Sequence, residues 1–148
     1  MENILNKKRK KKGFTLIELV IVLAVLAIIA LIAIPNFTKV RNDSLAKSDK
    51  ETANQIRKMA LMAIADGDIE AATATYKVEF DSSGKYSSLS GASVTDAKDV
   101  NQMMKEVKKP QVNGKENFLI KVNGDGSVSV GYPNSGNTDF ETDGKLSE

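Results

Sequence analysis

The 148-residue chain has no cysteine, no histidine and no tryptophan. Without cysteine there is no disulfide to close a loop and no thiol nucleophile, and without histidine as well the commonest sulfur and nitrogen metal ligands are missing. Neither a P-loop nor a G-x-S-x-G nucleophile motif occurs. The scattered Asp and Glu show no spacing that favours a carboxylate pair. These absences point to a protein that is not an enzyme, with no cofactor and no resident metal. Aromatic residues are scarce too, five Phe and three Tyr, so any soluble part has a thin core.

The net charge of +2 is unevenly placed. Residues 1–13 carry six cations (Lys7, Lys8, Arg9, Lys10, Lys11, Lys12) against Glu2, which leaves 15 cations and 18 anions for the rest. The pI of about 8.7 therefore reflects the basic head of the chain. It gives no support for nucleic-acid binding, which needs a basic patch on the folded domain.

The basic head is followed by Gly13-Phe14-Thr15-Leu16-Ile17-Glu18 and then by 16 consecutive apolar residues, Leu19 to Ile34, closed by Pro35. Phe14 to Ile34 is about 31 Å long as a helix, matching a hydrocarbon core of about 30 Å. Twelve of the 16 residues are Leu, Ile or Val. Each favours insertion by roughly 0.3 to 0.6 kcal/mol, about 4 to 7 kcal/mol together, which outweighs a single carboxylate. The positive-inside rule then holds the N-terminus in the cytoplasm, because six cations outweigh Lys39 and Arg41 at the other end. A secretory signal would place its small-residue cleavage site after the apolar run. Here the small residue at a boundary is Gly13, before the run, so a cut there removes the charges and leaves the hydrophobic segment on the mature chain.

These residues, Gly13-Phe14-Thr15-Leu16-Ile17-Glu18-Leu19 followed by the apolar stretch and Pro35, resemble the class III leader of type IV pilins and pseudopilins. The resemblance covers roughly the first 40 residues. It implies cleavage between Gly13 and Phe14 by a prepilin peptidase on the cytoplasmic face, and methylation of the new Phe14 amine by the same enzyme. An unhindered Gly suits access to the bond. The resemblance also implies that Glu18, the fifth mature residue, meets the N-terminal amine of a neighbouring subunit. An ion left alone in an apolar medium is costly, and an incoming cation relieves the cost. The plainer alternative is that Glu18 sits at the interface and snorkels to water.

Further implications are an α+β fold, in which a long N-terminal helix packs on a small C-terminal antiparallel sheet, and a structural role. The expected partners are copies of the same chain and other pilins in a helical filament, the peptidase, an assembly ATPase with its membrane platform protein, and the membrane before assembly. The expected products are a pilus for adhesion, aggregation or motility, or a pseudopilus of a secretion or DNA-uptake system. A membrane-anchored extracellular binding or hydrolytic domain is the reading from a different class. Ala24, Ala27, Ala30 and Ala33 recur every three residues and read first as good helix formers, second as close-approach positions. Many pilins have Gly where this chain has Ala27. Pro35 removes the hydrogen bond to Leu31 and can kink the helix.

Beyond the apolar run, Leu45, Ala53, Ile56, Ala60, Ala63 and Ile64 keep helical spacing with no Gly or Pro from Asn36 to Ala65, so one helix is expected from Phe14 to Ala65, stopped by Asp66-Gly67-Asp68. Lys47, Asp49, Lys50, Glu51, Arg57 and Lys58 read first as a solvated face, second as charges that pair between subunits. The expected domains are a leader (1–13), a membrane or filament-core half-helix (14–35), an amphipathic half (36–66) and a head (67–148).

Within the head, Ile69–Thr75 reads as a short helix, Tyr76–Phe80 as extended, Asp81–Gly84 as a turn, Ser87–Ser93 as a polar loop and Thr95–Lys109 as an amphipathic helix ended by Pro110. Phe118–Val122 and Val128–Tyr132 read as a hairpin around Asn123–Ser127. A calcium loop there is the sharper alternative, but Asp125 is the turn's only carboxylate, and calcium wants six to eight oxygens. Residues 134–148 are polar and read as a lid or a mobile tail.

Overall fold

A computed structural model describes residues 13–69, 72–91 and 97–147, so the cationic stretch Lys7 to Lys12 lies outside the described residues. The chain divides into two compact units, Met1–Val40 and Arg41–Glu148. Helix α1 runs Leu16–Asp66 with Pro35 inside it. The fold is α+β, a long N-terminal helix with a five-stranded antiparallel sheet.

In the first unit every large apolar side chain from Phe14 to Ile34 is exposed by half or more. Exposure of this extent is not the surface of a soluble monomer. Ala24, Ala27 and Ala33 are exposed and Ala30 is half-buried.

In the second unit α1 turns one stripe onto the sheet: Asp49, Ala53, Ile56, Ala60 and Ala63 are buried, at alternating spacings of four and three. Small Ala at three of these positions lets the helix lie close to the strands. The strands are β1 (Ala74–Phe80), β2 (Tyr86–Gly91), β3 (Phe118–Val122), β4 (Val128–Pro133) and β5 (Phe140–Ser147), in the order β2-β1-β3-β4-β5. Inward side chains Tyr76, Val78, Phe118, Ile120, Val122, Val128 and Val130 meet the α1 stripe in one core. Each large side chain buried there contributes about 1.5 to 3 kcal/mol. Phe118 stacks on Tyr132 at 6.0 Å and meets Phe80 edge-on at 6.3 Å.

The expected hairpin is present as β3 and β4, paired from Leu119↔Gly131 to Val122↔Val128. The expected turn at Asp81–Gly84 is also present, with Gly84 N donating to Asp81 O at 2.9 Å. Four expectations are corrected. Ala74 and Thr75 belong to β1 rather than to a short helix, because their backbones pair with Val122 and Lys121 of β3; Glu70 and Ala71 lie outside the described residues. Of the expected Ser87–Ser93 loop, residues 87–91 belong to strand β2, paired from Phe80↔Tyr86 to Tyr76↔Gly91, an edge position where serines cost little on the open side; Ala92 and Ser93 lie outside the described residues. The second helix, α2 (Ala97–Met104), ends short of the expected Lys109, with Val100 and Met104 buried as its apolar face required; Thr95 and Asp96 lie outside the described residues. Lys108 instead forms a β-bridge with Lys85, and the residue before Pro110 is biased away from helix. The tail expected over 134–148 contains β5, paired on β4. There Gly131 is required by crowding: a Cβ on it would lie 2.3 Å from the Gly144 carbonyl oxygen.

Two residues assigned to a solvated helix face are also corrected. Arg57 Nε donates to the Val128 carbonyl at 3.0 Å. Asp49 is 1% exposed. Its carboxylate accepts from Gln111 N at 2.6 Å, Val112 N at 3.0 Å and the Tyr132 hydroxyl at 2.7 Å. Lys47, Lys50, Glu51 and Lys58 are exposed, as expected.

Two phenols give the head an alkaline limit. Burial pushes Tyr86 up to about 12, and its hydroxyl donates to Asn101 Oδ1. Burial first, then the Asp49 carboxylate, raises Tyr132 above its usual value. Raised folded-state values contribute stability that is fully present below the unfolded value of about 10 and is lost as pH rises through the folded one. Urea unfolding midpoints are expected to fall between about pH 10 and 12, by up to about 1.4 kcal/mol per pH unit for each phenol. A Tyr86→Phe/Tyr132→Phe double variant whose alkaline slope equals that of the wild type would refute this assignment.

Candidate processing and assembly site

The site lies at the start of α1. Gly13, Phe14 and Thr15 are not helical, and α1 begins at Leu16 rather than at Phe14 as expected. The reason is the Thr15-x-x-Glu18 spacing. Thr15 N and Thr15 Oγ1 each donate to Glu18 Oε2 at 2.8 Å, and Glu18 N donates back to Thr15 Oγ1 at 3.3 Å. This reciprocal pair is a capping box: it satisfies donors that the first helical turn would otherwise leave open, and it puts a carboxylate at the positive end of the helix dipole. The Thr15-x-x-Glu18 spacing in the sequence is itself the signal of this local role.

The cap leaves the Gly13–Phe14 bond outside the helix, where its carbonyl is not tied into a helical ladder. Phe14 is 90% exposed, and a Cβ on Gly13 would meet nothing within 4 Å. Among the described residues, therefore, nothing packs against Gly13. Glu18 Oε1 accepts no hydrogen bond among the described residues, so one oxygen caps the helix and the other faces outward. Pro35 lies well inside α1, and Thr38 Oγ1 donates to the Ile34 carbonyl at 2.8 Å beside it.

The helix is long and apolar enough to cross a membrane, with a mean hydropathy of 3.2 in its most apolar stretch, and is a candidate membrane anchor. Elsewhere, among the described residues, no group of three acidic side chains is placed to hold a metal ion. In the β3–β4 turn Asp125 Oδ1 accepts from Ser127 N at 2.9 Å. The Ser127 hydroxyl first, and then that backbone bond, hold the Asp125 carboxyl below its usual range.

Residues 8–34 match the family model described as the prokaryotic N-terminal methylation motif. The chain is 34% identical over 125 residues to prepilin peptidase-dependent protein A of Clostridium perfringens, covering 84% of this chain and 88% of that protein. No solved structure matches it. The similarity to that relative covers far more of the chain than the motif, and with the pilin-like fold it shows the family: the chain belongs to the type IV pilin-like proteins.

Proposed function

We propose that the protein is a structural subunit of a type IV pilus. Residues 1–13 act as a leader, 14–35 as the membrane and later filament-core half of α1, 36–66 as its amphipathic half and 67–148 as the head. The leader holds the N-terminus in the cytoplasm. A prepilin peptidase cuts between Gly13 and Phe14 and methylates the Phe14 amine, and an ATPase-driven platform moves the subunit into an extracellular helical filament. The filament core is apolar and the heads face out; the role is mechanical rather than catalytic.

The observation that carries this reading is the pairing of an unpacked Gly13–Phe14 bond just outside a capped helix with a bare apolar surface along that helix. The first needs an enzyme to give Gly13 a purpose; the second needs other copies once the membrane is left.

Mass spectrometry of the chain from its own host is expected to find a mature N-terminus at methylated Phe14. Gly13→Val, which puts a branched side chain beside the scissile bond, is expected to slow cleavage on the order of 100-fold, as misplacement of a reacting group does. Its head should stay as stable as the wild type, since no described residue packs against Gly13. An intact leader on the wild-type chain would refute the proposal. Electron microscopy of sheared surface fibres decides between long pili and the short filaments of a pseudopilin.

A further inference from the structure

The head has two poles of opposite charge. Where α1 enters the head, near Asp49, Gln111 N and Val112 N reach its carboxylate, and Lys109 lies two residues away. Lys85 and Lys108 face each other across a β-bridge. The Lys109 side chain lies over Gly84, whose added Cβ would come within 2.9 Å of Lys109 Cδ. Lys85, Lys105 and Lys108 line one open cleft, and all four lysines are exposed. Like charges set opposite one another across strands are destabilising. Among the described residues the ion pairs are Lys77–Glu79, Lys115–Glu141 and Lys121–Asp139, and none of the four takes part. Two carboxylates lie nearby, Asp81 and Glu106. Asp81 Oδ1 accepts from Ser83 N, Ser83 Oγ and Lys85 N, and its charge also acts on Lys85, so four lysines face two carboxylates and the pole keeps a net positive charge.

The other pole is where α1 ends, 17 residues beyond Asp49 and so about 25 Å along the helix. Asp66 is exposed in a last turn that holds no basic residue, a position where the helix dipole favours a cation. The β3–β4 turn, with Asp125 exposed at its tip, reaches the same pole: a Cβ on Gly124 would lie 3.3 Å from Thr73 Oγ1, in the connection that follows α1.

A polymer whose copies all point one way uses heterologous contacts, which join two different surfaces of the same chain and so require those surfaces to complement each other. We propose that the lysine pole of one head (Lys85, Lys105, Lys108, Lys109) docks on the Asp66/Asp125 pole of another copy. This rests on the polymer reading above and adds its partner surface. The net positive charge of one pole and the exposed carboxylates of the other complement each other between heads, which fixes which pole meets which and rejects head-to-head pairing.

Because the chain has no native cysteine, two substitutions make a clean test. Full-length protein carrying Asp66→Cys and Lys108→Cys together, treated on cells with a short bis-maleimide, is expected to give a ladder of multimers on denaturing gels. Each single variant should stay monomeric. A monomer in the double variant where microscopy shows filaments overturns the pole contact and leaves the polymer reading standing. Absence of both ladder and wild-type filaments overturns both. Dimers from the Lys108→Cys variant alone overturn the polarity. In the cysteine-free chain, Lys105→Glu/Lys108→Glu is expected to lower filament yield about tenfold, equivalent to about 1.4 kcal/mol, with cleavage unchanged. Adding Asp66→Lys should recover filament yield; an unchanged yield in the double variant, or no recovery, counts against the docking.

Discussion

Asp49→Ala is expected to destabilise the head by about 3 to 5 kcal/mol, as removal of a buried charged partner does. Domains of this size are stable by only about 5 to 15 kcal/mol, so the loss is a large part of the total. The size follows from what is stranded. The two backbone N–H groups of Gln111 and Val112 and the buried Tyr132 hydroxyl all point at this carboxylate. A cavity of three missing heavy atoms is the smaller term; three donors without an acceptor are the larger. Asp49→Asn separates the two, since it keeps the volume and one acceptor oxygen but turns an amide donor toward other donors. Its expected cost is intermediate, about 2 to 3 kcal/mol. Ser147→Ala offers a contrast: its hydroxyl reaches the Ala53 carbonyl only at 3.4 Å, and the expected loss is below about 1 kcal/mol. Urea denaturation of the three variants measures this order, and an Asp49→Ala midpoint equal to that of Ser147→Ala would overturn it.

The same residue shows where sequence reasoning reached and where it stopped. The helix was legible because its signal is long: an apolar run and then a stripe at Ala53, Ile56, Ala60 and Ala63, with Gly67 as a stop. Asp49 lies four residues before Ala53, on that stripe, and this was the signal that set it apart from Lys47, Lys50 and Glu51. A carboxylate on the buried face of a helix needs donors from elsewhere, and two of its three are backbone groups of the segment after Pro110, which no side-chain pattern announces. The hairpin of β3 and β4 was legible from its apolar alternation and its turn. Strands β2 and β5 were not, because Tyr86–Gly91 and Phe140–Ser147 owe their extended form to the neighbouring strand rather than to β-forming side chains. Without a disulfide, β5 is held by that pairing and by Lys115–Glu141 at 2.5 Å and Lys121–Asp139 at 3.1 Å, contacts that appear only once the sheet order is known.

At the proposed processing site the motif was read for its charge, and the cap was missed; the two together give the sharper experiment. Glu18→Ala removes both the helix cap and the carboxylate, so a filament-free phenotype would have two explanations. Glu18→Gln divides them. A Gln at the third helical position serves a capping box as Glu does, so Thr15 N and Oγ1 keep an acceptor and α1 still begins at Leu16. What is lost is the negative charge and the outward oxygen, Oε1, as an anionic acceptor. If the amine created at Phe14 seeks that charge on a neighbouring copy, Glu18→Gln is expected to insert, to be cleaved after Gly13 at the wild-type rate, and to yield no detectable filaments. Glu18→Asp, which keeps the charge on a shorter arm, is expected to recover part of the yield. Cleavage is followed by the mass of the mature chain and assembly by sheared-fibre yield. Wild-type fibre levels from Glu18→Gln would mean that the carboxylate acts as a helix cap and nothing more. A neutral amide can complete the first turn of the helix, but only the ion can draw a cation into an apolar filament core, because only the ion leaves an uncompensated charge there for the cation to neutralise.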